Sequence, residues 1–194
     1  MPTILSHPAV PLAIGLGLGR RTVPKTLLLA GVIVSVLPDF DVIGFRLGIP
    51  YSSELGHRGF SHSLFVAAIV AFFGALFLRR YKIRFSSAAL FLFVSMASHG
   101  LLDTFTTGGK GIGLLWPFSS ARFFAPYQVI KVSPISNTRF LSGRGFSVLS
   151  SELLWVWLPA AALGLLLFSI RKLRRPNPPL NSDPAASGEV LSSR

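Results

Sequence analysis

The chain has 194 residues, of which 51% are hydrophobic and only 13% charged, and its mean hydropathy is +0.59. Soluble domains carry about a quarter charged residues, and here the apolar residues fall in long unbroken runs, so composition excludes an ordinary soluble domain and points to the membrane. The net charge of +12 does not read as nucleic-acid binding: the basic residues sit in short clusters beside apolar runs, where anionic lipid heads are the natural counter-charge.

Taken in chain order, the predicted elements are five helical segments. The first, 8–19, contains Gly15, Gly17 and Gly19, and the spacing of Gly15 and Gly19 fits a close helix contact. The second, 26–37, stops at Pro38. Each is about 12 residues long and reads as a tilted span, a helix lengthened by its flanks or a re-entrant segment. The segments 62–78, 86–102 and 153–170 are clear spans, each roughly 26 Å of helix. Residues 107–152 form one long connection, a turn or lid. Its Gly108-Gly109-Lys110-Gly111 follows a helix instead of a strand and is not a nucleotide loop. Residues 176–194, rich in Pro and Ser, read as a disordered tail. The expected fold class is therefore all-α, a polytopic membrane bundle over residues 1–175. Its start, with no basic stretch ahead of the first apolar run, does not read as a cleavable signal.

Topology follows from the basic residues. Arg20, Arg21 and Lys25, then Arg79, Arg80, Lys82 and Arg84, then Arg171, Lys172, Arg174 and Arg175 fall on one side if every segment crosses; Arg46, Arg58, Lys110, Arg122, Lys131, Arg139 and Arg144 fall on the other. The richer side is the cytoplasmic one. Placed on the same scheme, His7, Asp39, Asp41, His57, His62, His99, Asp103 and Glu152 all reach the opposite, non-cytoplasmic face.

That clustering includes all four histidines of the chain. His99 and Asp103, four residues apart, share one helix face. Asp39-Phe40-Asp41 follows a proline, and His57-Arg58-Gly59-Phe60-Ser61-His62 brings two imidazoles across a short turn. Ser61 and Ser63 read as caps of the third segment, and Trp116, Trp155 and Trp157 as interface residues. Polar groups this near lipid are costly unless paired or ligated, and without cysteine a metal must be held by imidazole and carboxylate.

At these residues the chain resembles the bacterial LexA-regulated, membrane-bound predicted metal-dependent hydrolases (YdjM-like). The resemblance rests on Ser6-His7, Leu37-Pro38-Asp39-Phe40-Asp41, His57-Arg58-Gly59-Phe60-Ser61-His62-Ser63, His99-Gly100-Leu101-Leu102-Asp103 and Trp116-Pro117-Phe118-Ser119. It implies a helical membrane fold and hydrolase chemistry. The order of ligands is also similar to the metal sites of zinc-dependent phospholipase C and the S1/P1 nucleases, but no histidine follows His99, which speaks against a third ion.

The expected function is a hydrolase of the cytoplasmic (inner) membrane, acting on a phosphoester or lipid-type substrate with metal-activated water. The metal ligands expected are His7, Asp39, Asp41, His57, His62, His99 and Asp103, holding one or two divalent ions, zinc first and manganese or iron next. Asp41 or Glu152 would act as general base, and Arg58, then Arg122, would hold a substrate anion. Membrane lipids are the expected partners; the oligomeric state is open. The alternatives are a metal transporter, whose site belongs nearer the midplane, and a metal-stabilised structural membrane protein.

Overall fold

The computed structural model describes residues 2–133 and 143–174; the tail expected at 176–194 lies outside them. The first helix, α1 (Ala9–Leu18), follows Pro8 and ends where Gly19 turns out of the helix at φ 78°. Pro24, with no N–H to give, precedes α2 (Lys25–Val36). A 3-10 turn, Leu37–Val42, and a single helical turn, α3 (Ile43–Arg46), continue α2. Then come α4 (Leu64–Leu78), capped by the Ser63 hydroxyl accepting from Val66 N at 3.1 Å, and α5 (Phe85–Thr104). The last helical stretch is α6 (Gly143–Glu152), a π-helical turn over Leu153–Trp157, and α7 (Leu158–Leu173).

Small residues bring the helices close on the inside, beside a core of Leu27, Leu78, Phe91 and Leu92, and many large apolar side chains face out. On α4, Ala67, Ala71 and Ala75 recur every fourth residue and are all buried, so the helix packs closely against α5. Phe72, Phe73 and Phe77, on its other face, are more than half exposed and stand where lipid would be. Gly31 serves α2 in the same way, since a Cβ there would lie 2.3 Å from the Phe91 ring of α5.

Among the described residues, four helical stretches are long and apolar enough to cross a membrane: Lys25–Arg46, Leu64–Tyr81, Phe85–Thr104 and Gly145–Leu173. At 10 residues, α1 is about 15 Å long, half of a hydrocarbon core of about 30 Å. It runs parallel to α7, with Ala13 and Gly17 against Gly164. Among the described residues there is no strand; isolated bridges, Thr106 with Ile130 and Ile112 with Phe123, shape the long loop.

Three details depart from the sequence reading. The second segment does not stop at Pro38: proline sits in the first turn of the 3-10 segment, where its missing N–H is not needed, and the helical path runs on to Arg46. The last helix begins at Gly143, ten residues before the expected start. Hydropathy misses α6 because only one side of it is packed, at Gly145, Val148, Ser151 and Glu152. The close approach of α1 to another backbone is made by Gly17, at α7; Gly15 instead faces the Leu28 side chain of α2, and Gly19 the Arg171 guanidinium.

Candidate metal centre

His7 precedes α1, Asp39 and Asp41 follow α2, His62 precedes α4, and His99 and Asp103 lie near the end of α5, so alternating helix directions bring all six to one end of the bundle. Five of them form an inner cluster, each at most 4% exposed. His62 Nε2 and His99 Nε2 are 3.1 Å apart. His99 Nε2 lies 3.5 Å from Asp39, His62 Nε2 3.5 Å from Asp103, and His7 Nε2 3.6 Å from Asp39 and 3.9 Å from Asp103. The rings of His7 and His99 stack at 3.6 Å. Two triads, His7–His99–Asp103 and Asp39–His62–His99, have their ligand atoms within 4.8 Å of one another.

The 3-10 turn explains why the two aspartates part company. At 120° per residue, positions i and i+2 point about 120° apart. Asp39 therefore reaches the inner cluster, and Asp41 points to the loop that carries His57 and His62. Asp41 Oδ1 meets His57 Nδ1 at 2.5 Å, and Oδ2 accepts from the Ser61 hydroxyl at 2.6 Å and from Arg58 N at 3.0 Å, with His62 Nδ1 at 3.3 Å. His62 thus turns one nitrogen to a carboxylate and the other inward, and His99 does likewise, its Nδ1 2.7 Å from the Ser35 carbonyl. This is how ligand imidazoles are usually held by groups behind them. His57 touches the cluster through Asp41 and lies outside both triads.

Arg58 and Glu152 hold the cluster from behind. Arg58 is 1% exposed; its Nε lies 3.2 Å from Asp103, and its other nitrogens donate to the Gly108 carbonyl at 2.7 Å and Thr106 Oγ1 at 3.0 Å. Its backbone takes φ 64°, a left-handed conformation that costs a non-glycine residue about 1 kcal/mol and is held by these bonds. Glu152 accepts from Thr3 N, from Thr3 Oγ1 at 2.6 Å and from Ser6 Oγ at 2.6 Å, fixing the turn that presents His7. Arg122 clamps four backbone carbonyls, those of Tyr51, Ser53, His57 and Gly111. None of the three projects a free charge into the cluster. Ser63 caps α4 as expected, whereas the Ser61 hydroxyl goes to Asp41. Sequence reasoning did not pick out Thr3 or Thr106. Thr3 bonds a residue 149 positions away and Thr106 one 48 away, and no local pattern marks such pairs.

The chemistry of this donor set fits a divalent cation. Both ring nitrogens of His7 and all four carboxylate oxygens of Asp39 and Asp103 are buried with no hydrogen-bond partner, a state that costs several kcal/mol per ion unless something offsets it. Burial and the neighbouring His99 lower the His7 pKa to about 3, so this imidazole is neutral. Burial also opposes charge on His62, but the Asp103 and Asp41 carboxylates beside it outweigh it and raise its pKa to about 9. The carboxylates draw positive charge to the spot where the ligand atoms converge.

A sequence model described as the YdjM inner membrane protein matches residues 1–175. The inner membrane protein YbcI of Escherichia coli (strain K12) is 51% identical over 179 residues, covering 90% of this chain and 99% of that protein. No solved structure matches.

Proposed function

This chain belongs to the YdjM inner membrane protein family, and from that footing we propose that it is a metal-dependent hydrolase acting on a phosphoester or lipid-type substrate, with its metal centre toward the non-cytoplasmic side. Family membership and four apolar helices make it a multi-pass inner membrane protein. The observation that carries the finer reading is the set of ligand atoms on His7, Asp39 and Asp103 that have no hydrogen-bond partner, buried beside His62 and His99.

His7, Asp39, His62, His99 and Asp103 are the ligands in this reading, and zinc suits their mixed nitrogen and oxygen donors. His99 has one nitrogen to offer, because Nδ1 faces the Ser35 carbonyl, so it serves one ion. A second ion is accommodated only by sharing the oxygens of Asp39 and Asp103 with His7. A bound ion supplies Lewis acidity: it polarises a phosphoryl or acyl oxygen and acidifies water. Asp41 joins His57 to His62 and is the carboxylate placed to accept a proton. Arg58 and Glu152 are positioning residues, for Asp103 and for the His7 turn respectively, in place of the anion-holding and base roles their sequence suggests.

The depth of the cluster supports a membrane-borne substrate. Asp39 and His99 lie fourteen residues along their helices from Lys25 and Phe85, about 21 Å, which puts them inside a core of about 30 Å. The test is turnover: detergent-purified protein loaded with Zn²⁺ or Mn²⁺ should cleave members of a phosphodiester and phospholipid panel, and His99→Ala should abolish cleavage while the protein stays folded. Stoichiometric metal with no turnover of any substrate assigns the site to structure; metal flux into proteoliposomes assigns it to transport.

A further inference from the structure

The other end of the bundle carries a second constellation, independent of the metal cluster. Where α1 and α7 run side by side, an outward-facing groove of about 490 Å³ opens between them, lined by Leu12, Leu16, Ala161, Gly164, Leu165 and Phe168 and almost wholly apolar. At its far end Leu16 also borders a hollow of about 500 Å³ that includes Arg20 and Arg171. The same two arginines line a neighbouring hollow of about 520 Å³ with Arg21 and Arg174. The groove shares Leu16 with the first hollow, and the two hollows share Gly19, Arg20 and Arg171, so the apolar groove adjoins a wall that carries both arginines.

Among the described residues these guanidiniums have no carboxylate to pair with. The acids of the described residues are Asp39, Asp41, Glu54, Asp103 and Glu152. Three belong to the metal cluster or its support, Glu152 bonds Thr3 and Ser6, and Glu54 accepts from Trp116. Arg171 is also set in place. It lies 3.4 Å from the Leu16 carbonyl and over the Phe168 ring at 5.0 Å, and its Nη1 stands 1.7 Å from where a Cβ on residue 19 would be. Gly19 thus leaves room for the guanidinium at the mouth of the groove.

We propose that this groove binds one anionic phospholipid, with an acyl chain along α1 and α7 and its phosphate between Arg20 and Arg171. Guanidinium forks match phosphate oxygens in bidentate geometry, and basic hollows between membrane helices suit anionic headgroups. Diffuse attraction between basic loops and the bilayer does not account for it. The neighbouring turn at the same end is equally basic, yet there Arg80 folds onto the Phe77 ring at 3.3 Å.

The experiment is thermal unfolding of the full-length protein in detergent, titrated with phosphatidylglycerol, phosphatidylcholine or glycerol 3-phosphate, with native mass spectrometry to count bound lipid. One phosphatidylglycerol should be retained per chain and raise the unfolding temperature, while phosphatidylcholine and glycerol 3-phosphate should not substitute for it. Arg20→Ala with Arg171→Ala should weaken retention at least tenfold. Arg79→Ala with Arg80→Ala, and His99→Ala at the metal cluster, should leave it unchanged. Ala161→Trp, at an exposed position, should block the groove and expel the lipid with the arginines intact, which keeps the test decisive if the double arginine variant folds poorly. Equal retention of phosphatidylcholine, equal loss in the Arg79/Arg80 variant, or unaltered retention in Ala161→Trp overturns the proposal.

Discussion

At the scale of residues, the cluster divides into groups that face the common centre and groups that hold them there. Asp41 is the hinge of that division. Its oxygens serve His57, His62, Ser61 and the Arg58 backbone. Asp41→Asn should therefore leave the ligand set complete but loosen His62, and metal affinity should fall about 10- to 100-fold, as read by competition with a chelator of known affinity. His57→Phe should weaken binding less, since His57 meets the centre only through Asp41; loss of a full equivalent of metal in that variant would make His57 a direct ligand. Glu152→Gln tests a different role. The amide would turn a donor toward donors at Thr3 and Ser6, with an expected loss of about 1–3 kcal/mol of stability in chemical or thermal unfolding. Turnover per bound metal should hold. A stable Glu152→Gln protein with normal metal content and no activity would restore Glu152 as the base. That these residues gather at one end of the bundle was legible in the sequence because their types are scarce: four histidines in 194 residues, all near the ends of apolar runs. Their layering was not legible. Sorting Asp39 from Asp41 needs the angular step of a 3-10 turn, and recognising Glu152 as a support needs Thr3 and Ser6, which only the folded chain brings near.

At the scale of elements, the site depends on how closely α5 approaches the turn before α4. His99 and Asp103 lie on α5, whereas His62 lies on that turn, and Gly100 is where the two touch. A Cβ on Gly100 would stand 2.5 Å from the His62 carbonyl oxygen and 3.2 Å from Leu114. A backbone carbonyl cannot swing aside as a side chain can, so Gly100→Ala must push the turn away from α5. The expected outcome is a loss of metal affinity of at least tenfold with every ligand still present, together with overpacking destabilisation of about 1–3 kcal/mol. Metal analysis on the purified variant checks it, and Gly143→Ala, at a glycine with no atom within 4 Å of its Cβ position and no positive φ, supplies a control for metal content. Undiminished affinity in Gly100→Ala would show that the turn and α5 are not rigidly coupled. The main helices were readable because unbroken apolar runs leave few other options in lipid. Their ends were harder. The 3-10 continuation past Pro38 and the polar-faced α6 are set by tertiary packing, which hydropathy does not record. The loop over residues 105–133 likewise owes its course to contacts such as Gly113 N to the Arg58 carbonyl at 2.9 Å and Leu64 N to the Leu114 carbonyl at 3.0 Å.

At the scale of the whole molecule, orientation decides which compartment the proposed metal centre meets. Of the described basic residues, ten lie at the end of Arg20, Arg79 and Arg171, and six at the cluster end. Two of those six, Arg58 and Arg122, are tied up by Asp103 and by backbone carbonyls within the fold, so the open loops differ in charge by more than the bare count. The asymmetry predicts that the arginine-rich end stays in the cytoplasm and the cluster faces out. Because the chain has no cysteine, single cysteines report this cleanly. Phe118→Cys lies in the long loop at the cluster end, at a residue 83% exposed, and Tyr81→Cys on the turn between α4 and α5, at one 51% exposed. A membrane-impermeant maleimide added to spheroplasts should modify Phe118→Cys at once and Tyr81→Cys only after lysis. The reverse pattern would place the metal centre on the cytoplasmic side and give it a different pool of substrates. Equal labelling of both sites in intact spheroplasts would mean that the chain inserts in both directions.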